Sequence, residues 1–145
     1  MSETSVKALQ CILATSGLLR IDHIGYGVGV IFYDPGHKVG VGLHILAART
    51  TNIKNQNPIM YANTAIPQAL KLLESKNVKP PFSVAIAGGA TMLGMQDSAN
   101  MSGKIIAAVK EAMASAHLDI KIEKTGGNSI RSMVLDIDNG KIKVT

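Results

Sequence analysis

One histidine and the glycines around it are the residues of this chain whose types and spacing point most directly to chemistry. His44 is the only histidine inside an apolar run, in the stretch IGYGVGVIFYDPGHKVGVGLHIL from Ile24 to Leu46. An imidazole titrates near neutrality, which suits it to moving a proton; a hydrogen-bonded structural histidine is the alternative. Around it lie Gly27, Gly29, Gly40 and Gly42. Glycine in a strand costs about 0.5–1 kcal/mol relative to alanine. Several glycines opposite one imidazole therefore mean either that other structure packs close or that a cleft is left open. Cys11 is the one thiol. Its neighbours Leu9, Ile12 and Leu13 suggest a buried strand, whereas a catalytic thiolate needs an electropositive, partly open setting. His23, His37, His44 and His117 show no ligand spacing, and a single cysteine excludes an internal disulfide or a multi-thiolate zinc site. No metal or cofactor is expected.

The element that must position His44 is a β-hairpin. In its first strand Val28, Val30 and Phe32 alternate with Gly27, Gly29, Ile31 and Tyr33; in its second Val39, Val41, Leu43 and Ile45 alternate with Gly40, Gly42 and His44. One face is bulky and the other mostly glycine. Asp34-Pro35-Gly36 provides the turn. The connection brings His44 near Gly27 to Gly29, but a one-residue slip in pairing turns every side chain over, so the shared face is left open.

The chain of 145 residues is long enough for one domain, residues 1–145, with a real core. Its 46 % hydrophobic and 17 % charged content, with 3 % aromatics, predicts a folded protein whose core is built from Ile, Leu, Val, Ala and Met. Apolar stretches are too short or too broken for a membrane span, and Met1-Ser2-Glu3-Thr4 has no basic leader region, so no membrane insertion and a cytoplasmic location are expected. The net charge is +5, but the basic residues are scattered and lack aromatic platforms. Nucleic acid is therefore not an expected partner.

In chain order, Val6 to Thr15 reads as a strand, followed by a turn at Thr15-Ser16-Gly17, a strand Leu18 to Asp22, and the hairpin. Arg49 to Pro58 is a polar surface loop and a candidate contact site. Tyr61 to Lys76 carries a helix pattern in Ile66, Ala69, Leu70 and Leu73, with Asn63 or Thr64 as cap and Pro67 in the first turn. A short buried strand from Phe82 to Ala87 runs into Gly88-Gly89-Ala90-Thr91-Met92. That double glycine suits close approach of backbone amides to a ligand, but it lacks the lysine of a phosphate loop. Leu93 to Met101 reads as a loop containing Met95, and Ser102 as the cap of a second helix with Ile105, Ala108, Val109, Ala112 and Ala116 inward. Strands at Leu118 to Glu123, Arg131 to Asp136 and Lys141 to Val144 follow, the last two joined by an Asp138-Asn139-Gly140 turn. The order predicts an α/β layered sandwich, a mainly antiparallel or mixed β-sheet with two packed helices.

Taken together, these landmarks resemble the CheD family, bacterial chemoreceptor glutamine deamidases. The matching segments are Tyr33-Asp34-Pro35, Gly42-Leu43-His44-Ile45-Leu46, Tyr61-Ala62-Asn63-Thr64-Ala65-Ile66-Pro67, Ala87-Gly88-Gly89-Ala90-Thr91-Met92, Thr125-Gly126-Gly127-Asn128 with Arg131-Ser132, and Asn139-Gly140-Lys141. Their order and spacing cover nearly the whole chain. The resemblance implies an α/β sandwich related to the cytotoxic necrotizing factor toxins. It also implies a cysteine amidohydrolase in which a thiolate attacks a receptor glutamine amide and histidine moves the proton. On that resemblance the family histidine falls on His44 and the family's Gly-Ser-Cys nucleophile segment on Gly25-Tyr26-Gly27. The cysteine position is therefore Gly27, the position of the family's site threonine is Ile21, and that of an acidic residue is Asn63.

Glycine offers no nucleophile and isoleucine no hydroxyl, so the expectation is a CheD-like fold with its chemistry lost. The expected function is a non-catalytic CheD-like chemotaxis protein that binds a chemoreceptor cytoplasmic helix or a CheC-type phosphatase. His44 is then a remnant base, and Tyr61, Thr64, Gly88, Gly89 and Thr91 line the cleft or partner surface. The alternative is an active protein-glutamine deamidase with an altered nucleophile, such as Cys11, Thr64 or a water activated by His44. A small-ligand pocket is a third reading.

Overall fold

The computed structural model describes residues 2–51, 57–91 and 100–145. The hairpin forms as β4 (Val28–Asp34) and β5 (Val39–Ile45) and is the centre of a five-stranded sheet. On one side β5 pairs with β2 (Cys11–Ala14); on the other β4 pairs with β6 (Ser83–Gly88), which is followed in parallel by β7 (Ile120–Thr125). A second, four-stranded sheet runs β1 (Glu3–Val6), β3 (Leu18–Ile24), β8 (Arg131–Asp136) and β9 (Ile142–Val144).

The bulky face of the hairpin, Val28, Val30, Phe32, Val41, Leu43 and Ile45, packs against helices α1 (Ala62–Ser75) and α2 (Met101–Ser115). Its other face meets the second sheet through Ile31 and Tyr33, which pack with Leu19, Ile21, Ile24, Met133, Leu135 and Ile137. The result is helices, sheet, sheet: an α/β sandwich of mixed and antiparallel sheets with two packed helices.

The glycine face is filled. A Cβ on Gly40 would stand 2.6 Å from Leu135 Cδ2, one on Gly42 3.1 Å from Val6 Cγ2, and one on Gly29 2.7 Å from Ile24 Cδ1. The second sheet thus packs into space that side chains would otherwise occupy, which answers the choice between tight packing and an open cleft along most of this face. The pairing of β3 with β8 is irregular between Ile21 and Ile24, where His23 has φ +57°. That bulge lets Ile21 and Ile24, three residues apart, both point inward at 0 % exposure.

Several sequence readings need correction. Val6 to Thr15 is not one strand: the chain turns at Leu9 (φ +67°), so that β1 joins one sheet and β2 the other. Leu9 N–H donates to the His44 carbonyl and His44 N–H to the Gln10 carbonyl, which draws β2 onto β5. Helix α1 is entered from Tyr61, with neither Asn63 nor Thr64 as its cap, and Pro67 lies in its second turn. Ser102 is a buried residue inside α2, preceded by Asn100 at φ +51°. Met101 opens that helix; Met95 and most of the loop before it lie outside the described residues. The strand read at Leu118 runs from Ile120, because Leu118 closes α2 by donating its N–H to the Met113 carbonyl.

Candidate functional site

The register of the hairpin settles where His44 points. Gly29 pairs with His44 and Val30 with Leu43, so His44 shares the face of Gly29, Ile31, Gly40 and Gly42, toward the second sheet. A Cβ placed on Gly27 would lie 3.4 Å from His44 Nε2, so the two positions adjoin. The same Cβ would be 2.5 Å from the Ile45 carbonyl oxygen and 2.8 Å from Leu46 Cδ2. Position 27 is occupied by backbone and by leucine, and any side chain there forces them to move.

His44 is 5 % exposed, and its Nδ1 has no hydrogen-bond partner among the described residues. Burial holds its pKa below the ordinary histidine value, so the ring is neutral at neutral pH. Ile21 covers Gly29 and Gly42, the two positions bordering His44 on this face: its Cγ2 is 3.4 Å from a Gly29 Cβ and its Cδ1 3.5 Å from a Gly42 Cβ. An aliphatic side chain there offers the imidazole no hydrogen bond.

Gly88 and Gly89 hold the loop that carries Gly27. Gly89 N–H donates to the Gly27 carbonyl at 2.7 Å and Ala90 N–H to the Gly25 carbonyl at 3.0 Å. Both glycines have positive φ, +117° and +66°, and a Cβ on Gly88 would meet the Gly27 carbonyl at 2.3 Å. The amides of Gly89 and Ala90 are thus spent on the neighbouring loop. Thr91 ties in a further element, its N–H donating to the Gly127 carbonyl at 2.9 Å and its Oγ1 lying 3.2 Å from Ser102 Oγ. Gly88 and Gly89 therefore lie against the Gly25–Gly27 loop, whereas Thr91 binds Gly127 and Ser102.

Tyr61 and Thr64 belong to the helix layer instead. Tyr61 bridges to Ala47, and Leu46 and Ala47 both donate to the Met60 carbonyl, which pins the chain just beyond His44. Thr64 Oγ1 donates to the Pro58 carbonyl at 2.5 Å, with the Tyr61 carbonyl at 3.2 Å, so its proton is committed to that turn. Asn63 clasps the backbone of Thr50, accepting from its N–H at 3.0 Å and donating to its carbonyl at 2.7 Å.

Cys11 pairs with Leu43, so it shares Leu43's face and packs against the helix-side core, opposite His44. Burial pushes its thiol up to about 11. Among the described residues, no group of three or more His, Cys, Asp or Glu side chains is arranged to hold a metal ion, and no helix is long and apolar enough to cross a membrane.

Arg131 was legible only as part of a motif, and the fold gives it a place of its own. It pairs with Ile24, one residue before the Gly25–Gly27 loop. Its Nη1 reaches across to the other sheet and donates to the Gly126 carbonyl at 2.8 Å and the Gly88 carbonyl at 3.5 Å.

A family model described as CheD chemotactic sensory transduction matches residues 45–145, which begins one residue after His44. The chain belongs to the CheD family. Among CheD relatives, a probable chemoreceptor glutamine deamidase CheD of Clostridium botulinum (strain Eklund 17B / Type B) is 35 % identical over 151 residues, covering 98 % of this chain and 93 % of its own. Its counterpart in Clostridium botulinum (strain Alaska E43 / Type E3) is 34 % identical, covering 90 % of this chain and 84 % of its own. A CheD protein of the same name from Methanococcus vannielii is 33 % identical, with 83 % and 80 % covered. The chain thus spans most of the length of these CheD relatives.

Proposed function

We propose that this CheD-family protein is a non-catalytic binding module of chemotaxis, which docks on a chemoreceptor cytoplasmic helix and acts by occupancy. The observation that carries the reading is the pair Gly27 and His44. The base position is retained, but the position that would supply a nucleophile has no side chain, and the Ile45 carbonyl and Leu46 have closed over it. Ile21 and the unpartnered Nδ1 of His44 support the same reading, since nothing there orients the imidazole for proton transfer. Cys11 lies on the opposite face of the sheet and Thr64 in the helix layer, which argues against either as a substitute nucleophile. The receptor partner rests on the relatives, which are chemoreceptor glutamine deamidases by name. A CheC-type phosphatase is the second candidate partner, and the cytoplasm the proposed location.

The test is mass spectrometry of an intact chemoreceptor cytoplasmic domain incubated with this protein, beside His44→Ala, with a pull-down of the same domain. The expected result is no conversion of glutamine to glutamate, with the receptor domain retained by both proteins. Conversion that depends on His44 would overturn the reading and restore the alternative of an active deamidase.

A further inference from the structure

Arg131 stands out at the end of the sandwich where Gly25, Gly88 and Gly126 meet. A guanidinium carries five N–H donors. Two of them, both on Nη1, serve the Gly126 and Gly88 carbonyls. The Nε–Nη2 edge has no partner among the described residues, and Arg131 makes no ion pair there, although Arg20, Arg49 and Lys110 all do. A half-buried cation with one edge fixed and the other free has its orientation already set for a ligand.

A Cβ added to Gly25 or to Gly126 would meet nothing within 4 Å, and one on Gly127 would come only to 3.4 Å from Arg131 Nη2. Of these three glycines only Gly127 borders the Nη2 edge of the guanidinium; the side-chain positions of Gly25 and Gly126 are open but lie more than 4 Å from it. Side-on pairing of Nε and Nη2 with two oxygens is the geometry of a bidentate carboxylate. The same residue is joined to the Gly27 loop through one peptide unit, since Gly88 contacts the Gly27 carbonyl and gives its own carbonyl to Arg131.

We propose that Arg131, its Nη1 held by the Gly126 and Gly88 carbonyls and its Nη2 beside Gly127, is a carboxylate-binding site that takes a glutamate side chain of the partner helix. This rests on the reading above that the partner is a chemoreceptor: glutamate is what deamidation leaves behind, so the chain discriminates the deamidated receptor from the amidated one. A neutral carboxamide presents one acceptor oxygen and no charge to the fork; a carboxylate presents two oxygens and a full charge.

The experiment is isothermal titration of the full chain with a chemoreceptor cytoplasmic domain carrying either glutamine or glutamate at its modification positions. The glutamate form is expected to bind at least about tenfold tighter at low salt, with the advantage shrinking as salt rises. Arg131→Gln removes the preference and leaves the glutamine form bound within about twofold. Arg131→Lys, which keeps a cation within reach of the same carbonyls, preserves the fold and cuts the preference at least about threefold, because an ammonium lacks the planar fork. Equal binding of both forms by the native chain, or a preference unchanged in both variants, overturns the carboxylate site and leaves receptor docking standing. Binding of neither form overturns both.

Discussion

Cys11 and His44 occupy neighbouring strands of one sheet and opposite faces of it. Cys11 is in register with Leu43, and the residue after Leu43 points the other way. The thiol lies among helix-side apolar groups and its pKa is pushed up to about 11 from 9.0 by burial. A shift of two units lowers the thiolate fraction at pH 8 about a hundredfold. Alkylation of the native protein by iodoacetamide at pH 8 is therefore expected to be about a hundredfold slower than in urea. Equal rates would show that the strand edge opens.

Position 27 tolerates no side chain without rearrangement. Both Gly27→Ala and Gly27→Cys are expected to destabilise the protein by about 1–3 kcal/mol, the usual cost of overpacking a closed site. Urea unfolding midpoints measure this, and the alanine variant separates the steric effect from the thiol. Deamidation by Gly27→Cys alone is not expected. In the double variant with Ile21→Thr, gain of activity requires the Ile45 carbonyl and Leu46 to give way; full stability of either single variant at position 27 would show that they already can.

His44 links stability to pH. Its folded pKa is depressed by burial, whereas in the unfolded chain it titrates near 6.5. Above that value the ring is neutral in both states and its contribution is fully present. As pH falls below it, the unfolded chain takes up a proton that the folded one resists, and stability is lost. Unfolding free energy measured from pH 7.5 to 5 should fall more steeply for the native chain than for His44→Leu. The leucine variant also removes a buried nitrogen that has no partner among the described residues, so at pH 7.5 it should be about as stable as the native protein or more so. Parallel pH profiles would show that the imidazole is solvated.

Asn63 needs both ends of its amide. It accepts from Thr50 N–H and donates to the Thr50 carbonyl. An aspartate reproduces the first bond and sets an anion against the carbonyl oxygen in the second. Asn63→Asp is thus expected to cost about 1–3 kcal/mol, and protection of the amides near Thr50 in hydrogen exchange should drop. An unchanged exchange pattern would mean that the loop is held by other bonds.

The elements themselves were largely legible in the sequence, because their signals are local. Alternation of Val28, Val30 and Phe32 with glycine, the Asp34-Pro35-Gly36 turn, the apolar spacing of α1 and the Asn139-Gly140 turn each depend on a few neighbouring residues. So does the identity of the residues at 21, 27 and 44, on which the proposed non-catalytic role rests. Where the chain changes sheets was not legible: Val6 to Thr15 is mostly apolar and carries no glycine or proline, and the turn at Leu9 is held by backbone bonds with His44 and by the Asn57 side chain, which donates to the Leu9 carbonyl.

Tertiary structure alone decided three further things. The pairing of Gly29 with His44 chose the face of the imidazole, and hence its distance from position 27 and from Cys11, because a strand's two faces are exchanged by a slip of one residue. The bonds from Gly89 and Ala90 to the Gly25–Gly27 loop joined segments more than sixty residues apart. The bulge at His23 and the reach of Arg131 across the sandwich placed a guanidinium beside that loop. Each is a relation between residues distant in sequence, fixed by packing and hydrogen bonding that no single stretch of the chain contains.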